Sequence, residues 1–312
     1  MKRKIIAALV AALPLLASAF PERPIKLIVP MAAGSITDVA ARSVAEAMSQ
    51  RLKQPVVVDN QQNLVGTMAA VRAAPDGYTL LIVGITNAAT NVITMKSPPY
   101  DPRKDFTPIG QMAELPYLLV ASTKLPAQTM KDLISYGKSH PDKLSYGYGS
   151  GSAQLATVRF TSMANFTATG VGYKGVPQAM TDLMGGTIDF VIADLNNGLQ
   201  AARAGRVTAI GVTSAKRSPL APDVPTLHEQ GLDGYDISVR FGLAGPAHLP
   251  ASITEQLNTV LREALNDPAV RQRFDGAGIA IVPSSPEVFT RNIRDDIAKW
   301  SAIARDAGIA PQ

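Results

Sequence analysis

The stretch IKLIVPMAAGSITDVAAR, Ile25–Arg42, decides how the chain is read. Its first six residues are an apolar, β-branched run that reads as a strand. Pro30 ends that run, small residues follow, and a helix pattern opens around Ser35, Thr37 and Asp38. The first amides of a helix have no acceptor inside it and lie at the positive end of its dipole. Small residues at such a turn let an anion approach those amides closely. The segment therefore reads as a cradle for a carboxylate. The same residues also fit a plain capped turn, because Ser35 or Thr37 would serve as N-cap.

Working outward, strand-like and helix-like runs alternate along the chain. Strand candidates are 25–30, 55–60, 78–84, 117–122, 143–149, 171–175, 188–194 and 207–214. Helix candidates lie near 36–52, 64–73, 127–139, 152–165, 176–185 and 196–204. Apolar strands separated by amphipathic helices predict parallel sheets covered on both faces, with ligands bound outside the carboxyl ends of the strands. After SVRFGLAGP (238–246), helices are predicted near 250–265, 268–277 and 286–307, packed back on the first lobe. The expected architecture is α/β, with two α/β lobes joined by two crossing segments, near 106–120 and 234–245. The expected division is 20–115 with 240–312 as lobe 1, and 116–239 as lobe 2. A ligand cleft lies between lobes so joined.

A second Gly/Ser turn, GYGSGSAQLATVRF (147–160), also follows a strand and opens a helix. Its Gly147, Gly149 and Ser152 match a dinucleotide fingerprint only loosely, and it contains no GxSxG nucleophile elbow. It reads best as a second anion cradle facing the first, with an ordinary capped helix as the alternative. In the turn GITNAATN (84–91), Thr86 and Asn87 are candidates for the cleft or for helix capping. Asp194, ending IDFVIAD, is a candidate to bind a ligand amine or bridging water, or to cap the next helix. Arg240 interrupts an apolar strand at the second crossing, so it needs an anionic partner. That partner is either a structural acid or a second carboxylate of the ligand.

Other function classes find little support. The chain has no cysteine, and His140, His228 and His248 lack metal-ligand spacing, so no metal or cofactor is expected. No serine or other nucleophile has a nearby base, so an enzyme is not expected. Residues 2–4 are basic, an apolar run extends from Ile5 to Leu16, and Ala17-Ser18-Ala19 fits a cleavage site. This reads as a secretory signal peptide over residues 1–19, cleaved after Ala19, so the mature protein is expected to be exported. The full chain carries 30 Lys plus Arg against 25 Asp plus Glu, a net +5. Losing Lys2, Arg3 and Lys4 leaves 27 against 25, a net +2. With no basic cluster interleaved with aromatics, nucleic acid is not an expected partner.

The ordered set PERPIKLIVP (21–30), AAGSITDVAAR (32–42), QPVVVDN (54–60), AAPDGYTLLIVG (73–84), YDPRKDFTPIG (100–110), VGYKGVPQAMTDLMGGTIDF (171–190), AGRVTAIGVTSAKRSP (204–219), PDVPTLHEQGLDGYD (222–236) and FGLAGPAHLP (241–250) resembles the Bug/TctC family. These are periplasmic solute-binding proteins, the receptors of tripartite tricarboxylate transporters. The resemblance spans nearly the whole mature chain. It implies a type II periplasmic-binding-protein fold that closes on a small carboxylate: a di- or tricarboxylate, an acidic amino acid or an aromatic acid. It also implies inner-membrane transporter subunits as partners and a monomer as the default. The alternative is a receptor that presents the ligand to a membrane sensor kinase. Carried over position by position, it nominates Met31, Ala32, Ala33, Gly34, Ser35, Thr37 and Asp38, then Gly149, Ser150, Gly151, Ser152 and Gln154, with Asp194 at the family's acidic position. The chain departs from the family pattern around the cleft. Met31 stands for an aromatic, QQNLVGTM (61–68) for a glycine-rich stretch, Gln154 for a histidine and Arg240 for a tryptophan. The last suggests that Arg240 selects a ligand with a second anionic group.

Overall fold

The computed structural model describes residues 20–306 and Gly308; the signal-peptide reading of residues 1–19 lies outside them. In the first third, strands β1 (Ile25–Val29), β2 (Val56–Asn60) and β3 (Thr79–Gly84) alternate with helices α1 (Ile36–Leu52) and α2 (Asn63–Val71). A π-helical turn, Thr86–Thr90, and the short α3 (Asn91–Thr94) follow. Then comes β4 (Phe106–Ser122), a single strand of 17 residues. The middle of the chain holds α4 (Met130–Ser139), β5 (Ser145–Tyr148), α5 (Gly151–Ala164), β6 (Thr169–Gly172), α6 (Val176–Gly185), β7 (Phe190–Asp194), α7 (Leu195–Arg203) and β8 (Val207–Val212). The last third holds β9 (Ser238–Pro246), α8 (Ala251–Leu265), α9 (Pro268–Ala277), β10 (Ala280–Ile281) and α10 (Pro286–Asp306).

The strands form two lobes that share β4. Lobe 1 is ordered β2-β1-β3-β9-β4, with β10 also on β4; lobe 2 continues β4-β7-β5-β6, with β8 on the other side of β4. The predicted parallel sheets are in fact mixed. β1 pairs β2 and β3 in parallel, and β5 pairs β6 and β7 in parallel, but β9 is antiparallel to β3 and β4, and β4 is antiparallel to β7 and β8. The reason is topological. A strand that leaves one lobe must enter the other from the opposite direction.

That inversion places the cleft. β4 runs in the direction of β3, so it leaves lobe 1 at the carboxyl edge of the sheet. It runs against β7, so it enters lobe 2 at the carboxyl edge of that sheet. Gly84, the end of β3, is level with Phe241 and hence with Ala113 of β4. Asp194, the end of β7, is level with Tyr117. The two carboxyl edges thus face each other across the five residues Ala113–Tyr117, four steps or roughly 13 Å at strand spacing.

Separate cores hold the lobes. Leu27, Val29, Val44, Met48, Leu80 and Leu261 are among the buried residues of one, and Phe160, Phe190, Leu133 and Ile210 of another. α10 belongs wholly to neither. Phe289 and Ile293 pack with lobe 1, whereas Trp300, Ile303 and Ala304 join the lobe 2 core and Asp306 pairs with Arg159 of α5 at 3.5 Å. α10 thus packs on both lobes, its first turns on lobe 1 and its last turns over α5 of lobe 2.

Thr213, fully buried, clips the two crossings together. Its hydroxyl accepts from the Tyr117 amide (2.8 Å) and donates to the Ile237 carbonyl (2.7 Å). Its own amide donates to the Tyr117 carbonyl (3.0 Å), and its carbonyl accepts from the Ile237 amide (2.8 Å).

Candidate functional site

The β1–α1 loop is built around a buried acid. Asp38 Oδ2 accepts the Gly34 amide (2.8 Å) and Arg42 Nε (3.0 Å), and its Oδ1 accepts Asn60 Nδ2 (2.8 Å). Arg42 Nη2 in turn donates to Asn60 Oδ1 (2.7 Å). Burial opposes ionisation of Asp38, but the Gly34 amide, Asn60 and Arg42 together outweigh it and hold its carboxyl below the ordinary range. Gly34 supplies the left-handed backbone of the turn, φ +82°, where a side chain would be strained. Ser35 caps α1 by accepting the Asp38 amide (3.2 Å). The amides of Ile36 and Thr37 are left without acceptors in the first turn, among the described residues. Ala32, Ala33 and Gly34 are exposed beside them, and Met31 and Thr37 are half-buried. The Asp38 carboxylate thus frames the turn: it is 3 % exposed and bonded to the Gly34 amide, Arg42 and Asn60.

The second cradle uses hydroxyls. Ser150 caps α5 by accepting the Ala153 amide (3.2 Å), its hydroxyl lies 3.2 Å from that of Ser152, and Ser152 lies 2.8 Å from the Tyr117 hydroxyl. Burial pushes the Tyr117 phenol up to about 12, and the Asp194 charge adds to the effect. A β-carbon at Gly149 would stand 2.3 Å from the Val176 amide nitrogen, so only glycine lets this loop pack against the start of α6. A β-carbon at Gly151 would stand 3.6 Å from the Thr90 methyl, so the start of α5 meets the π-helical turn of lobe 1. Gln154 is half-buried one turn into α5.

The remaining nominated side chains are mostly committed elsewhere. Asn87 is buried, accepting the Gly84 amide (2.8 Å) and donating to the Ile82 carbonyl (3.1 Å), so it ties β3 to the turn after it and does not reach the cleft. Thr86 beside it is half-buried. Asp194 caps α7, accepting the Asn197 amide (3.0 Å) and Asn197 Nδ2 (2.8 Å). Arg240 has the structural acid as its partner. Its Nη1 is 2.6 Å from Asp296 of α10, and its Nη2 is 3.7 Å from Glu114, directly opposite on β4. Burial pushes the Asp296 carboxyl up to about 6 against the pull of Arg240.

Tyr117, Thr213, Asn60 and Asp296 were not nominated from the sequence. Asn60 carried one signal, a polar residue ending the strand beside β1; the others lie inside runs that read as core or helix. A large open cavity of about 890 Å³ lies between α3 and α10, lined by Val92, Ile93, Tyr100 and Ile297 among others. None of the loop residues above lines it. Among the described residues, no group of three His, Cys, Asp or Glu is placed to hold a metal ion.

Two α/β lobes, a doubled crossing and facing strand ends define the fold of a periplasmic binding protein. Solved structures agree. R. palustris Rpa4515 with adipate superposes at a TM-score of 0.82, with 32 % identity over 94 % of this chain and 100 % of that one. MatC (Rpa3494) from Rhodopseudomonas palustris with bound malate gives 0.77 and 31 %, over 91 % and 99 %. The periplasmic binding protein BugD gives 0.79 and 31 %, over 94 % and 100 %. Protein BugT of Bordetella pertussis is 32 % identical over 95 % of this chain and 93 % of its own length. The tripartite tricarboxylate transporter family receptor (TctC) profile matches residues 40–309. The chain belongs to this TctC/Bug family, whose members are substrate-binding proteins and not enzymes.

Proposed function

We propose that this chain is exported, cleaved after Ala19, and serves in the periplasm as the monomeric receptor that captures a small carboxylate for a tripartite tricarboxylate-type transporter of the inner membrane. The observation that carries this reading is the pair of helix starts, α1 and α5, at facing carboxyl edges roughly 13 Å apart. Each presents unfilled amides at the positive end of a helix. Similarity to proteins solved with adipate and with malate supports a di-acid or hydroxy-acid scale of ligand.

In this reading the amides of the Met31–Thr37 loop take one carboxylate. The Ser150 hydroxyl and the amides of Gly151 and Ser152 take the other end of the ligand, with Thr86 and Gln154 at the sides. Segments 20–115 and 240–285 move as one body against 116–239, with the β4 and β9 crossings as hinge and α10 bridging both. The ligand favours closure only through its greater affinity for the closed form.

A thermal-shift screen of residues 20–312 against mono-, di- and tricarboxylates, acidic amino acids and aromatic acids tests the proposal. A ligand at 100 times its Kd adds about 2.7 kcal/mol to the folded state and raises the melting temperature. The absence of a shift with every carboxylate, in protein shown by mass spectrometry to carry no co-purified acid, would sink it.

A further inference from the structure

Tyr117 lies on β4, the strand that joins the lobes, level with Asp194 at the carboxyl end of β7, and it belongs to a chain of three hydroxyls: Tyr117 to Ser152 at 2.8 Å, and Ser152 to Ser150 at 3.2 Å. Each hydroxyl has one proton to give and two lone pairs to receive with, so the chain runs in one of two directions. In the first, Tyr117 donates to Ser152, Ser152 donates to Ser150, and the Ser150 proton points away from the chain. In the second, Ser150 donates inward and the last proton rests on Tyr117.

The surroundings choose between them. Tyr117 is 9 % exposed, and among the described residues the one hydrogen-bond partner of its hydroxyl is Ser152. The nearest acid, Asp194, is occupied by Asn197. In the second direction the phenol proton would be buried without an acceptor, which carries the full desolvation penalty. In the first direction every buried proton is accepted. Ser150 Oγ then receives from both Ser152 and the Ala153 amide, which fills its lone pairs. Ser150 is exposed at the mouth of α5 with a proton and nothing else to offer. Hydrogen bonds along such a chain polarise one another, which strengthens the terminal donor.

We propose that Tyr117 is a specificity-determining positioning residue: acting through Ser152, it fixes Ser150 as a donor-only contact, so that lobe 2 accepts a carboxylate oxygen and refuses a ligand group that itself must donate. This rests on the carboxylate-receptor reading above and adds to it why the lobe 2 cradle would prefer an ionised acid to its amide. Tyr117 need not touch the ligand. Its backbone is held by Thr213 at the hinge, so the relay starts from a fixed point.

The experiment titrates full mature protein calorimetrically with adipate, malate, glutamate and benzoate, each beside its primary amide, in wild type, Tyr117→Phe, Ser152→Ala and the double variant. Wild type is expected to bind at least one acid and to favour it over its amide. Tyr117→Phe keeps the ring and is expected to lower the affinity for that acid about 10-fold, the size of one hydrogen bond to a charged group. It should also reduce the acid-to-amide preference, because Ser150 is then free to turn inward and accept. In the Ser152→Ala background the Tyr117→Phe change should cost less than about 2-fold, since coupled residues are not additive. Equal weakening toward acid and amide, or the same loss with and without Ser152, would overturn the relay while leaving the receptor reading intact. Failure of wild type to bind any of the acids would overturn both. If Tyr117→Phe does not fold, Ser152→Ala alone decides, through the same acid-to-amide ratio.

Discussion

The two cradles sit at equivalent places, after a strand and before a helix at a carboxyl edge, yet they are held by opposite chemistry. Lobe 1 shapes its loop with a buried, fully bonded carboxylate, Asp38, so the amides proposed to bind the ligand are oriented by an acid whose charge Arg42 balances. Lobe 2 shapes its loop with neutral hydroxyls, Ser150, Ser152 and Tyr117, and leaves one of them exposed. If both helix starts hold a carboxylate as proposed, the difference teaches that a helix start is only half of an anion site. What locks the turn decides whether the site is rigid or adjustable. The acid-locked loop resists rearrangement, whereas the hydroxyl chain has two proton arrangements and can be biased.

The largest effect is expected where neither cradle is touched. Arg240→Met leaves Asp296 buried without its cation and should cost about 3 kcal/mol of stability. Ligand preference should stay unchanged, because Arg240 is occupied by Asp296 and Glu114. Chemical denaturation and a ligand screen of the same variant check both halves. A change of ligand preference would restore the idea that this arginine reads a second anionic group.

Next comes Asp38→Asn, which converts an acceptor of three bonds into a group that must also donate. A loss of about 2 kcal/mol is expected, together with loss of ligand affinity through lobe 1. The effect should fade toward acid. Asp38 has a lowered folded pKa, so its contribution is present above the ordinary carboxylate range and is lost as pH falls through the folded value. Melting curves of wild type and variant should therefore converge at low pH.

Asp296 carries the opposite sign. Its folded pKa is raised to about 6, so the fold binds its proton before the unfolded chain does. Its contribution is therefore greatest at low pH and is lost as pH rises toward 6. Asp296→Asn should flatten that part of the melting temperature profile, between about pH 4 and 6. The smallest effect is reserved for Ser150→Ala, about 1 kcal/mol as the loss of one N-cap, with lobe 1 undisturbed.

Much of this was legible in the sequence, and the limits have physical causes. The strands β1, β2, β3, β7 and β8 and nearly all helices follow from apolar runs and caps, and α1 (36–52), α6 (176–185) and α9 (268–277) match to the residue. β4 was half read: YLLVAS is an apolar run, but FTPIGQMAELP before it carries Pro108, Glu114 and Pro116, which local patterning does not assign to a strand. Only its pairing with β9 makes it one. The loops of both cradles were legible because small and capping residues mark helix starts. What local chemistry does not reveal is whether a polar side chain faces the cleft or its own lobe. Asp38, Asn87 and Arg240 all looked available, and each is consumed by partners at other positions in the chain. Tyr117 looked like core and is core, and only its hydroxyl, 35 residues from Ser152 in sequence, makes it part of a site.

A crystal structure of the mature protein with a bound carboxylate tests the central claim most directly. The account predicts carboxylate oxygens within about 2.7–3.2 Å of the Ile36 or Thr37 amide and of the Ser150 hydroxyl, directly or through one ordered water, with Arg240 still on Asp296. A carboxylate seated on Arg240 or Arg42, or in the cavity between α3 and α10, would contradict it.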